Sequence, residues 1–171
     1  CSLKRRAKPE FKRLLVNMGG VDIANMTEKV VRELKTCRLP SDIKIIIVMG
    51  GLAPHLEDVR IAVESLPFKT EVKVDVDNMA EIMANADIAI GAAGSTTWER
   101  CCLGLPTIQI VVADNQINIA RNLDSINIIQ LIDSTHQLAR SIDNISQSIS
   151  KMSLASSSIV DGKGSTRVVK F

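Results

Sequence analysis

The residues of this chain best suited to chemistry are Gly91-Ala92-Ala93-Gly94-Ser95-Thr96-Thr97-Trp98-Glu99, entered from the apolar run Asp87-Ile88-Ala89-Ile90. The spacing predicts a buried strand that turns sharply into a helix. Two glycines and two alanines leave main-chain N–H groups open to a ligand, Ser95 or Thr96 can cap the helix, and the first N–H groups of a helix have no intrahelical partner. Phosphate oxygens suit such a turn. Glu99 follows Ser95 by about one helical turn and points the same way. A carboxylate beside a phosphate is useful when it accepts hydrogen bonds from neutral hydroxyls such as a ribose diol. Gly91, Ala93, Gly94, Ser95, Thr96 and Glu99 are therefore candidate nucleotide contacts. The competing reading is a tight structural turn beside a solvated glutamate.

The elements that must position this turn follow from the alternation of short Ile- and Val-rich bursts with helical patterns along the chain. That rhythm predicts an α/β, Rossmann-like parallel sheet of six strands with helices on both faces. Strands are expected near Arg13 to Asn17, Ile43 to Met49, Glu71 to Val74, Ile88 to Gly91, Thr107 to Val111 and Ile126 to Gln130. Helices are expected near Asn25 to Thr36, Pro54 to Ser65, Asn78 to Ala84, Ser95 to Leu103, Gln116 to Asp124 and Thr135 to Ser148. Asn78 with Glu81, and Ser134 with Gln137, have capping-box spacing. Right-handed crossovers bring every strand's carboxyl end to one edge, where ligands of such sheets bind. The turns at Gly19-Gly20, Gly50-Gly51, Asp75 to Asn78, Gly91 to Thr96 and Ala113 to Gln116 converge there, which adds Gly19 and Gly20 to the candidates.

A content of 46% hydrophobic and 23% charged residues fits a globular domain, and the longest apolar runs are too short to span a membrane. Four cysteines include an adjacent pair, Cys101-Cys102, and show no C-x-x-C spacing, so the expectation is a reducing cytoplasm without zinc or disulfides. Lys4, Arg5, Arg6, Lys8, Lys12 and Arg13 make the start basic. With three Phe, one Trp and no Tyr the whole chain has too few aromatics to interleave with these cations and stack bases, so the arm reads as a solvated linker rather than a nucleic-acid contact. Residues 1–12 are expected to be a basic linker, 13–150 the nucleotide-binding domain, and 151–171 a tail without periodicity. Gly162-Lys163-Gly164-Ser165-Thr166 does not fit a phosphate loop, which needs Ser or Thr directly after Lys and a strand leading in. No carboxylate cluster on the ligand edge resembles a magnesium site, and no metal or other cofactor is expected. His55 and His136 lie on amphipathic segments and read as surface or helix-start residues. The opening Cys1-Ser2-Leu3 has neither an initiator Met nor a signal-peptide core, and reads as the start of a fragment.

A dinucleotide dehydrogenase is the first competitor, but Gly19-Gly20-Val21-Asp22 lacks G-x-G-x-x-G and no acidic residue closes the second strand. Five segments in order resemble another family: Asn17-Met18-Gly19-Gly20-Val21-Asp22, Asn78 to Asp87, Gly91 to Glu99, Gly104-Leu105-Pro106 and Asp114-Asn115-Gln116. Lys8-Pro9-Glu10-Phe11 and Asp161-Gly162-Lys163-Gly164 extend the similarity to nearly the whole chain. The family is that of the UDP-sugar hydrolases of pseudaminic acid biosynthesis, which act on a UDP-diacetamido-trideoxy-altropyranose, and their spore-coat polysaccharide relatives.

The resemblance implies a two-domain, glycosyltransferase-B-like enzyme, of which this chain is the carboxyl-terminal, UDP-sugar-binding half. The absent amino-terminal domain would be its partner and would supply the histidine that activates water, so no catalytic residue is assigned here. Met79 and the backbone of Val76 to Asn78 are candidate uracil contacts, since backbone amides can read a pyrimidine edge, with core packing the favoured single role for Met79. Asn115 and Gln116 become candidate sugar contacts, with helix capping the alternative at Asp114 or Asn115. A glycosyltransferase donor domain, or a noncatalytic nucleotide-binding domain, would use the same turn.

Overall fold

The computed structural model describes residues 2–7, 10–164 and 167. Cys1, Lys8, Pro9, Ser165, Thr166 and residues 168–171 lie outside the described residues, and with them parts of the expected linker and tail.

Six parallel strands form one sheet: β1 (Arg13–Asn17), β2 (Lys44–Met49), β3 (Lys69–Val74), β4 (Ile88–Ala92), β5 (Thr107–Ile110) and β6 (Gln130–Ile132), in the order β3-β2-β1-β4-β5-β6. Alternate residues of these β-branched runs face opposite layers. Leu14, Val16, Ile45, Ile47, Ile88, Ile90, Ile108 and Ile110 pack on α2 (Met26–Leu34), α3 (Leu56–Glu64) and α7 (Leu138–Ser146). Leu15, Val48 and Ala89 face α4 (Met79–Asn85), while α5 (Thr96–Cys102) and α6 (Ile117–Ser125) share a third cluster around Cys101, Ala120 and Leu123. The order of strands reverses between β1 and β4, where Asn17 and Gly91 are register partners. A crevice at that reversal is where doubly wound sheets hold ligands.

Four expectations need correction. The last strand starts at Gln130 rather than Ile126, because residues 126–129 terminate α6. Asn127 takes the left-handed conformation at φ 58°, and the N–H of Ile128 donates back to the Leu123 carbonyl at 2.9 Å, the pattern of a Schellman stop.

The expected tail without periodicity begins as a helix, which runs through Ile159. Helix α8 (Ile149–Ile159) buries Ile149, Met152, Ser153 and Ser156, a helical stripe hidden from hydropathy because half of it is serine. The small serines permit close approach to Gly104, at which any side chain would meet the Ser153 carbonyl. The Ser156 hydroxyl donates to the Met152 carbonyl of its own helix, so its burial leaves no donor unpaired.

The basic arm is not simply solvated. Ser2–Arg6 forms a short helix, α1, and Arg6 is 1% exposed. Its guanidinium donates to the carbonyls of Met83 at 2.8 Å and Ala86 at 2.9 Å, satisfying the open end of α4. Burial, with the neighbouring Arg5 charge, lowers the Arg6 pKa to about 10. Arg5 pairs with Asp87, whose carboxylate also accepts from the backbone N–H of Lys12 and Arg13.

Neither capping box closes reciprocally. The Asn78 carboxamide bonds the Glu81 carboxylate instead of the backbone. Ser134 accepts from the N–H of His136, while Gln137 accepts from that of Asp133.

Candidate functional site

The loops at the carboxyl ends of β1, β2 and β3 are stitched together by hydrogen bonds from backbone N–H groups. Gly50 N–H donates to the Gly20 carbonyl at 3.1 Å, and Gly51 N–H donates to Asp75 Oδ1 at 2.6 Å. A side chain at Gly50 would overlap the Gly20 carbonyl, and Gly19 at φ 98° has a backbone that side chains disfavour. Behind them the Asn17 carboxamide donates to the Val48 carbonyl at 3.0 Å. These links hold open a cavity of about 250 Å³ whose wall includes Gly19, Gly20, Gly50, Asp75, Met79 and Thr96. Met79 also lines a second, more apolar hollow of about 510 Å³ between α4 and α5, together with Ala80, Met83, Trp98 and Glu99. The structure thus brings Gly19, Gly20, Met79 and Thr96 around one cavity, and Met79 and Glu99 around its neighbour.

The glycine turn divides into a buried and an open part. Gly91 lies in the strand, and Ala93 is buried with its N–H committed to the Ile110 carbonyl at 3.2 Å. Beyond them the N–H groups of Gly94, Ser95 and Thr96 find no acceptor among the described residues. Space over Gly94 is free: a Cβ there would meet only Gln116 Nε2, at 3.9 Å. Gln116 is held toward the turn because its Oε1 accepts from the N–H of Val112 at 3.2 Å. Asn115, by contrast, is exposed, one residue before it in the 3-10 turn Asp114–Gln116. Glu99 is exposed on α5, and its carboxylate makes no hydrogen bond or ion pair among the described residues.

The expected side-chain cap at Ser95 or Thr96 is absent. Ser95 already has helical φ and ψ, whereas a capping residue needs an extended backbone to turn its oxygen toward the next N–H groups. Thr97 and Trp98 instead donate to the carbonyls of Gly94 and Ser95. At the first loop the opposite occurs: the Asp22 carboxylate accepts from the N–H of Met26 at 2.9 Å and of Thr27 at 2.8 Å. The start of α2 is thereby occupied by the protein's own anion.

One residue at the site escaped the sequence reading. Arg100 is 1% exposed, and its Nη2 donates to the Ala92 carbonyl at 2.6 Å. Burial pushes its pKa down to about 10, which leaves it charged near neutrality. The available signal was its place next to Glu99: on a helix, adjacent residues point about 100° apart, so an exposed Glu99 can turn its neighbour inward.

Among the described residues no group of three or more His, Cys, Asp or Glu is placed to hold a metal ion, and no helix is long and apolar enough to cross a membrane. His55 Nδ1 lies 3.2 Å from Asp58 on its own helix, and His136 Nδ1 lies 2.6 Å from Glu33 on α2.

Comparison with known proteins agrees with this architecture. The chain belongs to the family described as the glycosyltransferase family 28 C-terminal domain, whose model matches residues 14–167. It is 30% identical over 114 residues to the spore coat polysaccharide biosynthesis protein SpsG of Bacillus subtilis strain 168, covering 67% of this chain and 33% of that protein. Among solved structures it is similar to Acinetobacter baumannii MurG, with a TM-score of 0.84 and 17% identity, over 99% of this chain and 52% of that one. The spinosyn rhamnosyltransferase SpnG, solved with thymidine diphosphate, has a TM-score of 0.67 and 16% identity over 95% of this chain and 46% of that chain. The chain therefore spans about a third of its curated relative and about half of these structures.

Proposed function

We propose that this domain holds the diphosphate and ribose of a UDP-sugar, as the donor half of a two-domain enzyme. The observation that carries the reading is the trio of free N–H groups at Gly94, Ser95 and Thr96, beside the strand-order reversal, with the unpaired carboxylate of Glu99 one helical turn on. The N–H groups would receive phosphate oxygens, and Glu99 would accept from the ribose hydroxyls. Met79 would lie against the base, and Asn115 and Gln116 would reach the sugar.

Within that reading the enzyme is a UDP-sugar hydrolase of bacterial nonulosonic (pseudaminic) acid or surface polysaccharide biosynthesis. Kinship with a spore coat polysaccharide protein supports it, as does the likeness of the glycine turn to that of the hydrolase family. The bond between the anomeric carbon and the β-phosphate oxygen breaks, water oxygen bonds that carbon, and UDP leaves with the electron pair. Fixed N–H dipoles at the turn offset the charge that develops on the departing phosphate, without rearrangement during the reaction. The proton of water passes to a base on the other domain. A glycosyltransferase, with an acceptor hydroxyl in place of water, is supported by the family description and by the solved neighbours. A cytoplasmic setting belongs to the same proposal, since Cys37 and Cys101 are buried free thiols.

Titration of the chain with UDP, UDP-GlcNAc and ADP, followed by amide chemical shifts, tests the donor site. Shifts at Gly94 to Thr96 and Glu99 with a preference for uridine compounds are expected. Absence of binding by the folded chain would reduce the glycine turn to a structural corner. Assay of the chain joined to its preceding domain then separates release of free sugar from transfer to an acceptor.

A further inference from the structure

The loops at the ligand edge, residues 17–25, 49–55, 74–78, 91–99 and 111–117, contain no lysine or arginine. They do carry Asp22, Asp75, Asp77, Glu99 and Asp114. An edge with this charge is poorly suited to a diphosphate unless positive charge is supplied from elsewhere. Arg100 lies directly behind the glycine turn. Its Nη1 occupies the space in which a side chain at Gly91 would sit, and its Nη2 holds the Ala92 carbonyl.

Two features set this arginine apart from a structural anchor. Its Nε and Nη1 have no hydrogen-bond acceptor among the described residues, although the residue is 1% exposed. No carboxylate pairs with it among the described residues; its one side-chain hydrogen bond there is to Thr97 Oγ1 at 3.4 Å, and that hydroxyl is shared with Gln109 Nε2. A buried cation without a counter-ion is costly, and replacing such a group by an apolar residue of similar volume is often neutral or stabilising. Keeping the charge here therefore calls for a compensation that is not found among the described residues.

We propose that Arg100 is a positioning residue whose buried charge has the ligand's diphosphate as its counter-ion, acting through the Gly91–Ala92 backbone. The inference rests on the donor-site reading above and adds the source of its anion selectivity. With low-dielectric protein around it, the guanidinium field is screened far less than that of a surface lysine. Affinity should then climb with ligand charge, from uridine to UMP to UDP. At equal free concentration UDP should then stabilise the domain more than uridine.

The test is calorimetry of the full chain with uridine, UMP and UDP for the wild type, Arg100→Met, Arg100→Gln and Arg100→Lys, with thermal unfolding of each ligand-free protein. In the neutral variants UDP affinity should fall about tenfold or more, as expected for loss of a poorly screened charge. Uridine affinity should stay within about twofold, ligand-free stability should be kept, and Arg100→Lys should recover most of the UDP affinity. Equal losses for uridine and UDP, unchanged UDP affinity, or unfolding of both neutral variants would overturn the proposal. Failure of the wild type to bind any of the three compounds would instead remove the donor-site reading on which it stands.

Discussion

Asn17 and Gly91 face each other in register across β1 and β4, and the Asn17 carbonyl lies 2.9 Å from the point where a Cβ on Gly91 would be. Arg100 closes the same space from behind. Gly91→Ala should therefore lower stability by about 1–3 kcal/mol through overpacking, read as a fall in denaturation midpoint. Gly94, three residues on, has open space over it. Gly94→Val should leave the midpoint nearly unchanged and abolish UDP binding by blocking approach to the free N–H groups. Unchanged UDP affinity in that folded variant would remove the turn from the site.

Glu99 separates ribose from phosphate recognition. Its carboxylate is exposed and unpaired among the described residues, so Glu99→Ala should fold normally. Loss of charge-assisted hydrogen bonds from a ribose diol should weaken UDP by about 1.5–3 kcal/mol. Inorganic pyrophosphate should bind at least as well as before. Calorimetry with both ligands checks this, and equal losses would contradict the ribose role.

The sheet was legible because β-branched residues crowd its strands: Ile45 to Val48 and Ile88 to Ile90 permit little else, and the glycine turn follows from where β4 stops. What stayed hidden has physical causes. Helix α8 buries serines, which no hydropathy stripe marks. The end of α6 depends on one left-handed asparagine, Asn127, among isoleucines that look like strand. Arg6 reads as a solvated cation in sequence and Arg100 is not singled out there, yet each meets carbonyl groups that only the folded chain places together. The free N–H groups of Gly94 to Thr96 were anticipated, but the missing Ser95 cap was not, since it depends on a backbone angle rather than a residue type.

Asp22 offers a check on which helix starts are open. Its two hydrogen bonds to Met26 and Thr27 neutralise the beginning of α2. Asp22→Ala should cost about 1–2 kcal/mol through loss of the two hydrogen bonds that its carboxylate accepts from the first N–H groups of α2. It should leave UDP affinity within about twofold, because the diphosphate is assigned to the turn after β4 rather than to this helix. A large loss of UDP affinity in the folded variant would move the phosphates to the first loop.

The buried thiols give the domain a dependence on alkaline pH whose sign is fixed. Burial raises the Cys37 thiol from 9.0 to about 11, helped by the charges of Glu33 and Asp143. Burial likewise raises Cys101 to about 11, against the opposing pull of Arg100. In the unfolded chain these thiols lose their protons first, so the unfolded state binds fewer protons across that interval and stability falls as pH rises. The thiol contribution is fully present below pH 9 and is lost as pH passes about 11. Compared with a Cys37→Ala, Cys101→Ala variant, the wild type should lose more denaturant stability over that interval. At pH 8 neither thiol should alkylate in the native protein at the rate seen after unfolding, because the thiolate is the nucleophile. Peptide mapping after iodoacetamide reads this directly, and rapid native labelling at Cys101 would mean that the packing of α8 over α5 opens.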